Sequence, residues 1–315
     1  LKYLEYFLIY FLAINIIERK EQINFFIICL LLTAFAVSIY AIRQIPTGER
    51  LTTPFEGTPE PNTLGGYILF IFCLTMGMWL YQSNRLTKAT LLVLLGIYAI
   101  VLLYSLSRAS YMGLLFAIPL FFISEKRKSL LPFVLIGAIT IYFLKPEAVI
   151  ERIKNTFTFE PGYSLTIMGI PLDASASARL MSWMGVFNSL WKDYTTFIGH
   201  GVTGWRFLDG QYVLVLAETG LIGLAIFIYL IVNVARNLFN VYNKSNDEIL
   251  KGLALGAFVG FIGICVHAFT ANSFIIIRIM EPMWFTIGLV IKAYMIESHS
   301  YKDFSNTRGF QSTRL

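Results

Sequence analysis

Two arginines and two carboxylates carry most of the chemistry available at one face of this 315-residue, largely apolar chain. Arg108 stands in Leu106-Ser-Arg-Ala-Ser-Tyr111, where two apolar runs meet with almost no loop, so its guanidinium must lie at or just below a membrane surface. A charge placed there is costly, and it faces a cavity, a substrate or a lipid phosphate to which it snorkels. Arg179, in Ser177-Ala-Arg-Leu-Met-Ser-Trp183, and Arg206, in Trp205-Arg-Phe207, are further cations of the same side, each with an ordinary headgroup contact as the competing reading. Asp209 opens an apolar run and reads either as a helix cap or as a general base. Glu218 follows about two helical turns along. Two fixed guanidiniums in a low-dielectric cleft can stabilise negative charge without reorganisation, while a nearby carboxylate can accept a proton. On the rim of an arginine-lined cleft that carboxylate stays ionised at neutral pH, which suits a base.

Other motifs point away from familiar chemistries. Gly199-His-Gly-Val-Thr-Gly204 has the G-x-G-x-x-G spacing, but no strand precedes it and it falls on the external side, where nucleotide is absent. Its glycines instead permit a tight turn feeding a helix, and Gly220 and Gly223 permit close helix packing after Glu218 and Thr219. His200, His267 and His299 are isolated, with no paired-ligand spacing; His267 reads as a core histidine or as a proton shuttle. Cys29, Cys73 and Cys265 all lie in apolar runs, which argues against a disulfide framework or a zinc site. No D-x-D pair on an external loop offers a Mg²⁺ site, so a metal-free mechanism without cofactor is expected.

The elements that must position these groups follow from composition. With 57% hydrophobic and 14% charged residues and a mean hydropathy of +0.67, the chain reads as an all-α polytopic membrane protein. Barrel segments would be about ten residues long and alternating, and a soluble core would need polar helix faces that are missing here. The net charge of +6 would suggest nucleic acid in a soluble chain; in a membrane chain Lys and Arg mark cytoplasmic loops, and no nucleic-acid partner is read from it. About nine spans are predicted within one membrane domain covering residues 1–315, at roughly 3–17, 24–42, 63–81, 90–106, 109–124, 130–145, 211–234, 252–271 and 282–297. Arg19 and Lys20, Arg85 and Lys88, Lys126 to Lys128, Arg236, Lys244 and Lys251, and the tail with Lys302, Arg308 and Arg314 all fall on one side, which is therefore cytoplasmic. The opposite short loops hold only Arg43, Arg50, Arg108 and Arg278. This parity puts Leu1 outside, and an odd number of upstream spans is expected to be missing.

Two external segments are too long for connectors. Residues 43–62 are dense in Pro, Gly and Thr and should form a loop fixed by turns. The loop 145–210 contains Leu180, Trp183, Met184, Phe187, Leu190 and Trp191, the apolar stripe of a helix expected to lie in the interface. Asp173-Ala-Ser-Ala-Ser177 supplies its N-cap and places Arg179 in its first turn.

The order of these motifs resembles the O-antigen ligase and polymerase superfamily, most strongly over residues 90–232. The resemblance rests on Leu-Tyr-Ser-Leu-Ser-Arg108-Ala-Ser-Tyr-Met-Gly, on Arg179-Leu-Met-Ser-Trp with Phe197-Ile-Gly-His-Gly, and on Asp209-Gly-Gln-Tyr-Val-Leu-Val-Leu-Ala-Glu-Thr-Gly. Pro61-Asn62-Thr-Leu-Gly-Gly-Tyr is similar to that family's loop ending before a span. The resemblance implies an N-terminally truncated, C-type membrane glycosyltransferase of the inner, cytoplasmic membrane, active on its external face. It implies a glycan on undecaprenyl diphosphate as substrate, membrane lipids and other polysaccharide export proteins as partners, and no metal. Arg108 and Arg179 would bind the diphosphate and Asp209 would act as base, with Arg43, Arg206, Gln211, Tyr212 and Glu218 lining the substrate site. Where the ligase branch has His-Asn-x-Tyr-Leu, this chain has Asp209-Gly-Gln-Tyr, which looks more like the polysaccharide polymerases.

The alternative class is a secondary transporter, such as a bicarbonate-transporter-like protein, with Glu218 relaying protons at a midplane site. Depth discriminates the two. A transporter places its charges near the bilayer centre in two related halves, whereas these cluster at the outer face.

Overall fold

The computed structural model describes residues 2–47, 50–54, 60–123, 150–151, 154, 165–167, 170–190, 195–206 and 208–312. Its principal helices, in chain order, are α1 (Lys2–Ile16), α2 (Lys20–Ile42), α3 (Pro61–Tyr81), α4 (Arg85–Tyr104), α5 (Arg108–Leu120), α6 (Ala174–Leu190), α7 (Thr195–Ile198), α8 (Gln211–Lys244), α9 (Glu248–His267) and α10 (Ile277–Ser312). A two-residue antiparallel pair, Thr166–Ile167 with Ile170–Pro171, precedes α6. Among the described residues, six helices are long and apolar enough to cross a membrane: α2, α3, α4, α8, α9 and the Ile277–Ser298 part of α10. By length and composition the chain is a polytopic helical membrane protein. Of the nine expected spans, the first and fifth correspond to the shorter apolar helices α1 and α5. The sixth, 130–145, lies outside the described residues, as do Lys126, Arg127 and Lys128.

The centre of the bundle is α3 against α9, whose apolar windows are 89% and 72% buried, against 28% for α2 and α4 and 22% for α8. Close approach of small residues explains the difference. A Cβ on Gly252 would stand 2.7 Å from the Gly77 carbonyl and one on Gly256 would stand 2.6 Å from that of Leu74, so only glycine lets these backbones meet. Around this pair, Tyr98 donates to the Leu31 carbonyl at 2.9 Å, and the Tyr81 and Tyr242 hydroxyls share a 3.0 Å bond. Within lipid such bonds replace the water that is absent.

One end of the bundle brings together the basic loop at Lys20 and the loop between α8 and α9. Lys20 reaches Asp247 at 3.1 Å, and Asp247 caps α9 through the Ile249 and Leu250 amides. Burial alone would raise the Asp247 carboxyl, but the Lys20 bond and these amides outweigh it and hold it below the usual carboxylate value. Glu297 closes the same end by accepting from Ser245 Oγ and from the Asn246 and Asp247 amides.

The opposite end is shaped by a break in α8. In a straight helix Tyr212 and Phe227 would stand about 22 Å apart along the axis, a gap side chains of this size cannot close. Their ring centroids are 6.0 Å apart. The chain folds back at Gly220, where φ is 66° and ψ is −167°. The Ala217 and Glu218 carbonyls accept from the His200 and Gly201 amides at 2.9 Å, so the break leaves neither orphaned. The glycine-rich segment is thus the partner of a helix break, not a phosphate loop: a Cβ on Gly220 would strike the Phe197 carbonyl, and one on Gly199 the Glu218 backbone. Gly223 differs from expectation, since its nearest neighbour is Thr219 of its own helix. Gly220→Ala should therefore destabilise the protein by about 1–3 kcal/mol from its positive-φ backbone alone, and more from the collision with α7. Thermal unfolding in detergent micelles checks this, and an unchanged midpoint would contradict the fold-back.

Candidate functional site

Arg108 is the first residue of α5, and Ser107 caps that helix through the Ser110 amide. The position of Ser107 is set from α3, because its hydroxyl donates to Asn62 Oδ1 at 2.8 Å. Asn62, at the head of α3, thereby fixes the residue next to Arg108. The Arg108 guanidinium donates through Nη1 to Asp173 Oδ2 at 2.7 Å, with only 19% and 9% of the two side chains exposed. Asp173 Oδ1 simultaneously accepts from the Ala176 amide at 2.8 Å, capping α6. A charge-assisted bond of this length in so enclosed a place is a strong one. Sequence reasoning identified Asp173 only as a cap, because no local spacing links it to Arg108.

Arg179 is the sixth residue of α6, hence in its second turn and not its first. Its Nε donates to Asp209 Oδ2 at 3.3 Å. Trp183, one turn on, donates Nε1 to the Asp209 carbonyl at 2.6 Å. Asp173 and Arg179 are six residues apart, about 9 Å along the axis. One helix therefore carries a carboxylate that holds Arg108 and a cation that holds Asp209, joining α5 to the head of α8.

The expected stripe of α6 is partly corrected. Val186 and Leu190 are buried against Leu208, Leu216 and Ala217, with Trp183 packed beside them, while Met184 and Phe187 are exposed together with Met181. The helix docks by one face on residues 211–219, the arm of α8 before Gly220, and leaves a second apolar face open. Trp191 lies outside the described residues.

Gln211 and Tyr212 point inward. The Gln211 backbone amide donates to the Ala268 carbonyl at 2.9 Å, its side-chain Oε1 accepts from the Phe274 amide at 3.0 Å, and Tyr212 donates to the Cys265 carbonyl at 2.8 Å. Asn272 donates to the Leu208 carbonyl at 2.7 Å. These contacts clamp the head of α8, with Asp209 on it, to the end of α9. His267 is fully buried, shares a 2.6 Å bond between Nδ1 and Ser273 Oγ, and packs by Gly66 of α3. Its place is in the core. Glu218 accepts from the Thr203 amide at 2.9 Å beside the fold-back, away from the Arg179–Asp209 pair at the head of α8. Arg43, at the C-cap of α2, and Arg206 are both exposed, and neither forms an ion pair among the described residues. Arg278, on α10, donates to Thr53 Oγ1. No metal-binding group of His, Cys, Asp and Glu occurs among the described residues.

Fold and site together define a polytopic helical membrane protein with two arginine–aspartate clamps at one end of its bundle. Among known proteins, neither a family model nor a curated sequence matches this chain.

Proposed function

We propose that this protein is a membrane glycosyltransferase that polymerises or ligates glycan units carried on undecaprenyl diphosphate, most simply a polysaccharide polymerase. It would lie in the cytoplasmic membrane with nine spans, the clamped end facing outward and the 145–210 segment over it. The observation that carries the reading is the pair of clamps. Arg108 and Arg179 each present a guanidinium to a carboxylate oxygen, and a phosphate oxygen takes the same donors. In the absence of donor, Asp173 and Asp209 satisfy the arginines. When the diphosphate arrives, it replaces the carboxylates and frees Asp209.

Transfer then proceeds without metal or cofactor. The acceptor hydroxyl oxygen bonds to the anomeric carbon, the bond from that carbon to the diphosphate oxygen breaks, and the lipid diphosphate leaves with the electron pair. Asp209 takes the hydroxyl proton. The guanidiniums stabilise the charge that grows on the leaving group. The transporter reading is less favoured, because the charged pairs stand at helix heads and Glu218 is engaged by a backbone amide. Cells lacking the protein should accumulate undecaprenyl-diphosphate-linked glycan, and the purified protein should extend such units into polymer. Failure of both would remove the proposal.

A further inference from the structure

We propose that α6, α7 and the fold-back of α8 form a membrane-seated rim, in which Met184, Phe187, Phe197, Ile198, Val202 and Ile222 enter the outer leaflet beside the lipid-facing arm of α8. The inference rests on the membrane-spanning reading of α8 and α9 and is independent of any transferase activity. All six side chains are exposed, Phe197 by 60% and Val202 by 70%, and they come from α6, α7, the glycine-rich turn after α7 and α8. Loose packing does not account for the exposure. α6 is anchored by Val186 and Leu190, and α7 by the contact between Phe197 and Gly220.

Continuity identifies the occupant. Immediately beyond Gly220, on the same helix, Leu221, Ile222, Ile226 and Tyr229 are exposed along an arm apolar enough to cross a bilayer. Acyl chains cover that face, and the rim begins where it ends. Depth agrees with this. From the shared turn at Ser245 to Asp247, the inner arm of α8 (residues 221–244) runs about 36 Å and α9 about 30 Å. The fold-back point therefore stands no more than about 6 Å beyond the level at which α9 ends, a distance comparable to the thickness of one headgroup layer. Apolar side chains there meet lipid, and in water so many large exposed apolar groups would promote association. Exposed Arg206, four residues after Val202, is placed to meet phosphate.

The test uses the full chain in vesicles of phosphatidylethanolamine and phosphatidylglycerol. Cys29 is replaced by Ser, since Cys73 and Cys265 are buried, and a nitroxide is attached at Phe187→Cys, Val202→Cys or, as an aqueous control on the basic end, Asn243→Cys. Power saturation should show oxygen relaxing the Phe187 and Val202 labels several-fold more than a water-soluble nickel chelate does, with the order reversed at Asn243. Nickel access at Phe187 and Val202 equal to that at Asn243 would overturn the rim. Low access to both reagents would also overturn it, because the face would then be covered by protein, and cross-linking through Val202→Cys would identify a second copy.

Discussion

Replacing Arg108 by Lys is expected to lower glycan transfer by about 10- to 100-fold while membrane abundance stays close to normal, the range that follows from losing one strong charge-assisted bond. Lysine keeps the charge but offers a point ammonium in place of a planar fork. At Arg108 the fork is held by Asp173 at 2.7 Å, and Asp173 in turn caps α6, so guanidinium geometry and the seating of α6 are coupled. The lysine variant should therefore bind lipid-linked donor more weakly and also turn over more slowly when saturated. Initial rates against donor concentration separate the two effects. Unchanged transfer in a well-expressed Lys variant would reduce Arg108 to an interfacial anchor, and the diphosphate site would have to be sought elsewhere.

Asp209→Asn should be the more severe change, with transfer reduced by about 10²- to 10⁴-fold and donor still bound, as expected when a general base is lost. The amide keeps the shape of the carboxylate and can still accept from Arg179, but it cannot take a proton at neutral pH. Glu218→Gln is the internal control. Its oxygen accepts from the Thr203 amide beside the fold-back, a bond that an amide oxygen also makes, so activity should stay within a few-fold of the parent. Polymer formation from purified lipid-linked repeat units, with donor binding followed separately, distinguishes these outcomes. A silent Asp209→Asn beside an inactive Glu218→Gln would transfer the role of base to Glu218. His267 is a poor substitute, since it is wholly buried and already bonded to Ser273.

How much of this was legible beforehand differs between elements for physical reasons. The long apolar runs that become α2, α3, α4, α8, α9 and the first part of α10 could be read from the sequence, because lipid demands about twenty apolar residues with internally satisfied backbone wherever a helix crosses. The meeting of the basic loops at Lys20 and at Lys244 to Lys251 was equally legible, since it depends on residue type and order alone. The arginines and Asp209 were conspicuous for the same reason: charges beside apolar runs stand out without any knowledge of their partners.

Partnership was not legible. Arg108 and Asp173 are 65 residues apart and Arg179 and Asp209 are 30 apart, and nothing local marks either pair. Tyr212 and Gln211 were read as substrate contacts from their motif, and their bonds to the Cys265 and Ala268 carbonyls and the Phe274 amide join segments distant in sequence that no local pattern announces. Composition and residue order therefore determined that this chain is a helical membrane protein and which charges stand beside its apolar runs. Only the tertiary structure decided which carboxylate each arginine meets and which face of α6 is buried, because those depend on the positive-φ backbone at Gly220 and on segments distant in sequence that satisfy the carbonyls it frees.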